Sequence, residues 1–306
     1  MTNKRLTKPF WFANVWSFFP DFTVEDLEVN FLKWRANQAA FQQMTQTKTL
    51  SELLDPEVLT DLPGDLAGIY IALHYGPYRL LPRYLLAAGY RIAVLASPQV
   101  IQREQVHTLA DVKANNLPAD ALTYIDASRK TVMKNILSAL QEQRVVLVYI
   151  DADEGAQRCT AKNQNTLLKI NLLHGHLYFR ANIALLAFRY GLPLAFLIME
   201  KNSRSGRWQL TCSNNIKTGR KETVQNYLKR FKSKLTVILS AMMERDWTAW
   251  ENWPMLHLYQ PELKRADAEG IEGLICGMPV CFQQRRFIFD LKGRQFFEIQ
   301  PNGQKQ

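Results

Sequence analysis

Long apolar runs are missing from this 306-residue chain, and no stretch of about 20 consecutive apolar residues offers a membrane-spanning helix. Cysteine is scarce. Cys159, Cys212, Cys276 and Cys281 form no paired pattern, so reduced thiols are expected and a disulfide scaffold is not. The CGMPVC run from Cys276 to Cys281 has no second Cys or His pair nearby, and His174 and His176 in HGH lack a third ligand in sequence. Neither pattern supports a zinc site, and no metal or cofactor is expected. Acidic residues are outnumbered, 28 against 38 Lys and Arg, for a net charge of +10. That excess suits anionic partners: phosphorylated substrates, acidic carrier proteins, anionic lipid surfaces or nucleic acid. No nucleic-acid-binding motif accompanies the charge, so nucleic acid is not an expected partner. Internal repeats and low-complexity segments are also absent.

With 47% hydrophobic and 22% charged residues, the chain has the composition of a globular protein. Its first residues, MTNKRLTKPFWFANVWSFFPDF, show no secretory signal. Phe10, Trp11, Phe12, Trp16, Phe18 and Phe19 have two readings: rings packing a first helix onto the core, or rings lying at a membrane interface. Residues 24–43 carry apolar positions at helical spacing behind Thr23, a candidate cap. A polar loop with Pro56 and Pro63 follows.

Strands and helices then alternate. Strands are expected at 68–73, 91–96, 121–125, 144–150 and 193–199, with helices from Pro77 to about Ala88 and at 100–114, 129–143 and about 180–189. Residues after 151 read as a polar loop, and 208–212 as one further strand. This predicts an α/β fold: a mostly parallel sheet covered by helices, with N-terminal helices in front. A long helix is expected at 221–245, burying Leu228, Leu235, Ile238, Leu239 and Met242 and turning Lys229, Arg230, Lys232 and Lys234 outward. Beyond the charged linker PELKRADAEG, RRFIFD-LKGR-QFFEI is a hairpin candidate. The expected division is an α/β domain over 1–262 and a linker with a small C-terminal β appendage over 263–306.

Two chemically equipped sites fall at strand ends. One is His74 with Tyr75, Gly76, Tyr78 and Arg79; the other is Asp151 with Asp153 and Glu154, directly after RVVLVYI. In a parallel sheet both ends open onto one edge, where ligand crevices form. A carboxylate there can accept the Nδ1–H of the histidine, leaving Nε2 to take a proton from a hydroxyl or amine. His74, Asp151 and Glu154 are therefore the expected catalytic residues.

The segment LHYGPYRLLPRYLLAAGYRIAVL resembles the first block of the lysophospholipid acyltransferase superfamily, in its bacterial branch of lipid A late acyltransferases and phosphatidylinositol mannoside acyltransferases. VVLVYIDADEG is similar to that branch's strand ending in an aspartate, and HGHLYFRANIALLAFRYGLPLAFLI to its later segment, helix and strand. WENWPMLH is similar to its tryptophan-rich C-terminal motif, and the resemblance spans about residues 20–260. It implies acyl transfer from an acyl carrier protein or acyl-coenzyme A to a hydroxyl or amine, with His74 as base. By the same carry-over the backbone around Gly175 and the residues leading to Arg180 border the acyl or acceptor pocket. Tyr75, Gly76, Tyr78 and Arg79, beside His74 at the strand end, are expected to bind substrate. The chain departs from the family in two ways. The carboxylate of the His-x-x-x-x-Glu motif is Arg79 here, and arginine has no acceptor atom to hold a histidine N–H. The N-terminal span common in the lipid A branch has no counterpart in this sequence. The expectation is a cytoplasmic acyltransferase, with peripheral contact on an anionic inner membrane face as a further partner. The alternative is a catalytically degenerate homologue acting as a binding or scaffold subunit.

Overall fold

The computed structural model describes residues 7–47, 68–152, 167–201, 208–213, 215–260, 277–282 and 285–298. GIYIA, whose one glycine stands at its first position, and VVLVY form the two central strands β1 (Gly68–Ala72) and β4 (Val145–Tyr149). Strands of this kind, buried on both faces, belong inside a parallel sheet. Around them lie β2 (Ile92–Ala96), β3 (Leu122–Asp126), β7 (Leu194–Lys201) and β8 (Trp208–Cys212). The spatial order is β3-β2-β4-β1-β7-β8. All neighbours pair in parallel except β8, which runs antiparallel to β7 at the edge. The α/β architecture expected from the alternation is the one observed.

Side chains alternate across β1, so Ile69 and Ile71 enter one core while Tyr70 and Ala72 enter the other. Each fully buried Ile or Val contributes about 1.5–3 kcal/mol relative to exposure. The first core receives helices α1 (Thr7–Phe18), α2 (Val24–Thr47) and α7 (Val224–Asp246). The second is closed by α3 (Leu81–Ala87), which follows a 3-10 turn at Tyr78–Leu80. Helices α4 (Pro98–Ala114), α5 (Val132–Gln141) and α6 (Asn182–Tyr190) complete the crossovers. Capping chemistry sets several starts. The Asp26 N–H donates to Thr23 Oγ1 at 3.1 Å while Asp26 accepts from the Thr23 N–H, and the Thr223 hydroxyl accepts from Asn226 N–H ahead of α7.

The aromatic N-terminus packs inward. Trp11 and Phe18 are sealed, Phe12 is nearly so, and Phe10, Trp16 and Phe19 lie half-buried against the same core. The buried stripe of α7 is Tyr227, Phe231, Leu235, Ile238, Leu239, Met242 and Met243; Leu228 is only half-buried. No helix among the described residues is long and apolar enough to cross a membrane.

Two stretches differ from the sequence reading. Residues that read as loop before α6 form an antiparallel hairpin of β5 (Leu167–Leu172) and β6 (Gly175–Arg180). The C-terminal candidate hairpin is a three-stranded antiparallel sheet, β9 (Gly277–Phe282), β10 (Arg285–Asp290) and β11 (Gln295–Glu298). It is tied to the body of the protein, since the Phe10 ring of α1 packs on Phe289 and Phe296 at 5.3 and 6.2 Å. The Pro56–Pro63 loop, Cys159, Cys276 and the PELKRADAEG linker lie outside the described residues.

Candidate active site

Parallel register brings the two strand ends together. Ala72 of β1 is paired with Tyr149 of β4, and two residues further along each chain stand His74 and Asp151. Asp151 Oδ1 lies 2.8 Å from His74 Nδ1. The His74 backbone N–H donates to the same carboxylate, at 3.1 Å to Oδ1 and 3.0 Å to Oδ2, and the Trp250 indole N–H donates to Oδ2 at 2.7 Å. The Asp151 side chain is fully sealed, so these donors take the place of its water. A carboxylate accepts only, so the neutral imidazole carries its proton on Nδ1 and its lone pair on Nε2. Nε2 has no hydrogen-bond partner among the described residues, and the His74 side chain keeps 17% of its surface exposed.

Aromatic rings fix the imidazole on two sides. Tyr78 stands edge-on at 4.5 Å between ring centroids, and Tyr149 is tilted at 4.9 Å. The Tyr149 hydroxyl donates to the Tyr78 carbonyl at 3.0 Å, locking one ring to the other's backbone. Burial raises both phenol pKa values well above the usual tyrosine value, so both hydroxyls stay protonated. The tryptophan-rich segment after α7 closes the back of the site. Its Glu251 N–H donates to His74 O at 2.8 Å, and Asn252 Nδ2–H donates to Asp151 O. Trp250 and Trp253 are both fully buried behind it.

Burial pulls the His74 pKa down, but the charge and hydrogen bond of Asp151, joined by the charge of Glu251, outweigh it and raise the value above that of a free histidine. Arg79 is one of the opposing influences. Its guanidinium does not bond the imidazole; Nε donates to the Tyr78 hydroxyl at 3.0 Å and Nη2 to Glu251 Oε1 at 3.3 Å. The carboxylate that bonds the imidazole thus comes from just past the end of β4 and not from the turn that carries Arg79. The arginine in turn has a carboxylate of its own in Glu251.

The other expected site residues are more scattered. Tyr75 is buried, pairs by backbone with Trp250 and faces a separate cavity of about 210 Å³ between β7, β8 and α7. Gly76 holds φ +61° beneath the Trp208 ring, where a Cβ would sit 2.5 Å from Cζ3. Gly175 backs onto Phe18 of α1, and Arg180 ends β6 with a buried Nε that has no partner among the described residues. Neither Gly175 nor Arg180 forms a hydrogen bond or ion pair with the dyad. Asp153 and Glu154 lie outside the described residues. No group of three His, Cys, Asp or Glu capable of holding a metal occurs among the described residues.

Sequence reasoning misses Tyr149, Trp250, Glu251 and Asn252 as members of the site. WENWPMLH stands out for its tryptophans, but nothing local in it says that it caps a strand end some hundred residues earlier. Compared with known proteins, the chain matches no family model and no curated sequence.

Proposed function

We propose that this protein is an acyltransferase in which His74, held by Asp151, is the general base. The acyl chain moves from the thioester of an acyl carrier protein or acyl-coenzyme A to a hydroxyl or amine acceptor. The observation that carries the reading is the 2.8 Å Nδ1–Oδ1 contact together with an Nε2 left open. As the acceptor oxygen or nitrogen bonds to the thioester carbonyl carbon, its proton passes to Nε2. Asp151 stabilises the imidazolium that forms. The C–S bond then breaks and the leaving thiolate takes that proton from Nε2. General-base assistance of this kind is worth about 10²- to 10⁴-fold. The resemblance in block order, from LHYGPYR to WENWPMLH, supports acyl transfer over other base-catalysed chemistry, and the net charge of +10 suits an acidic carrier protein. We place the activity in the cytoplasm, with peripheral contact on an anionic membrane face as a subsidiary feature.

The alternative of a degenerate binding subunit draws on Arg79 standing in the carboxylate position. Asp151, reaching the same imidazole from β4, weakens that ground. The test is consumption of acyl-carrier and acyl-coenzyme A thioesters by purified protein over a panel of hydroxyl and amine acceptors, followed by mass spectrometry. Transfer should appear in the wild type and fall about 10²- to 10⁴-fold in His74→Ala. Wild-type protein that leaves every thioester at the no-protein rate, or a His74→Ala variant as active as wild type, would remove the proposal.

A further inference from the structure

A cavity of about 200 Å³ opens between α2 and the turn that follows β1. Its walls are aromatic: Trp34 and Phe41 from α2 and Tyr78, whose ring also touches His74. Its polar side chains, among the described residues, are Gln38, Gln42, Thr45, Arg79 and Glu251. Gln38 contributes an Nε2 that is buried with no hydrogen-bond partner among the described residues. A buried donor left open in this way costs stability unless something accepts from it. Arg79 contributes Nη1, which has no described partner, on a side chain 30% exposed. Glu251 contributes a carboxylate 3.3 Å from Arg79 Nη2, longer than the roughly 2.7–2.9 Å of a tight charge-assisted bond.

Both donors, one of them cationic, belong to residues that line this aromatic-walled space. We propose that this cavity is the acceptor site and takes a small carboxylic acid with an apolar body, α-amino and α-hydroxy acids being the acceptors that fit. The role as acceptor site rests on the acyl-transfer reading; the carboxylate binding does not. A carboxylate has two oxygens to set against Arg79 Nη1 and Gln38 Nε2–H, and the planar guanidinium suits it. A phosphate dianion would meet Glu251 at close range with no further cation among the described residues that line the cavity. Size agrees, because an apolar cavity of about 150 Å³ holds benzene. Glu251, joined to the dyad through its own N–H to His74 O at 2.8 Å, accepts one hydrogen of an α-amine, while an α-hydroxyl keeps its single hydrogen for the base. The Tyr78 ring that lines this cavity also contacts His74. In the acyl-transfer reading the α-hydroxyl, or the amine in its neutral form, gives its proton to His74 Nε2 past that shared ring as its lone pair attacks the thioester carbon.

The test is calorimetry on the full chain with 3-phenylpropionate, 3-phenylpropan-1-ol, L-phenylalanine, 3-phenyllactate and inorganic phosphate as probes. 3-Phenylpropionate should bind, and the alcohol about 10- to 100-fold more weakly. Arg79→Gln should lose a similar factor for the carboxylates, and Gln38→Leu, a conservative change on a separate helix, about 2- to 10-fold. L-Phenylalanine and 3-phenyllactate, run as acyl acceptors, separate the amine from the hydroxyl class. Equal binding of alcohol and carboxylate, unchanged affinity in folded Arg79→Gln and Gln38→Leu, preference for phosphate, or no carboxylate bound at all would overturn the assignment. Carboxylate binding without thioester turnover would sink the acyl-transfer reading alone. Turnover on neutral alcohols without carboxylate binding would sink this pocket alone.

Discussion

Replacing Asp151 by Asn removes one charge and turns one acceptor into a donor, in a setting where every lone pair is committed. The carboxylate receives the His74 N–H on both oxygens, the imidazole on Oδ1 and the Trp250 indole on Oδ2. An amide has one oxygen to offer. If that oxygen faces His74, its NH₂ opposes the Trp250 N–H and strands a buried donor; if it faces Trp250, the NH₂ opposes Nδ1 and drives the ring proton to Nε2. The first arrangement forfeits a charge-assisted bond in a sealed site, about 1.5–3 kcal/mol. The second adds the loss of the base, because an Nε2 that carries hydrogen cannot accept one; a wrong tautomer in a comparable catalytic pair costs about 10⁴-fold in rate. Asp151→Asn should therefore lower stability in chemical denaturation by about 1.5–3 kcal/mol, with near-complete loss of thioester transfer. A variant with wild-type stability and wild-type turnover would refute the reasoning, since it would mean the carboxylate is neither satisfied nor used as the contacts imply.

Three further outcomes rest on contacts in and around the same site. The His74 pKa lies above its ordinary value, burial being outweighed by Asp151 and Glu251. Its contribution to stability is present below the unfolded-state value of about 6.5 and is lost as pH rises through the higher folded value. Transfer, which needs the neutral ring, should rise with pH over that upper interval; an NMR titration of the wild type checks this, and in Asp151→Asn burial prevails and the midpoint should fall below about 6.5. Gly76→Ala should cost about 1–3 kcal/mol in thermal unfolding, from left-handed φ on a non-glycine residue and displacement of the Trp208 ring; an unchanged melting temperature would contradict it. Asn14, fully buried in α1, donates to the Trp253 carbonyl at 2.7 Å, so Asn14→Ala should cost about 1–3 kcal/mol in denaturant and loosen the segment behind the dyad. Retained stability would show that this bond does not secure the segment.

The dyad was legible because each half ends a buried apolar run, GIYIAL before His74 and RVVLVYI before Asp151, and parallel pairing puts such ends side by side. Acceptor chemistry excludes Arg79 as the partner of the imidazole but does not choose among carboxylates; Asp151, the first candidate ahead of Glu154, is the one in contact. The Arg79–Glu251 pair was not legible, because its partners are 172 residues apart and share no periodic signal. The β5–β6 hairpin was missed for a local reason. Its buried positions, Ile170, Leu172, Leu177 and Phe179, do alternate, but they turn through Leu173-His174 with Leu173 at φ 51°, and lack the Asn-Gly or Asp-Gly that announces a tight turn. The aromatic N-terminus left two readings open in sequence because amphipathic packing and interface lying use the same residues; only the presence of α2, Trp247 and Trp253 around Phe19 and Trp11 distinguishes them.

The central claim is that His74 is a base whose proton sits on Nδ1 against Asp151 and whose Nε2 is free. Long-range ¹H–¹⁵N correlation of the histidine ring in the wild-type protein, taken above the His74 pKa, reads this directly. The account predicts a pyrrole-type Nδ1 and a pyridine-type Nε2. The reverse assignment, with the proton on Nε2, would contradict it.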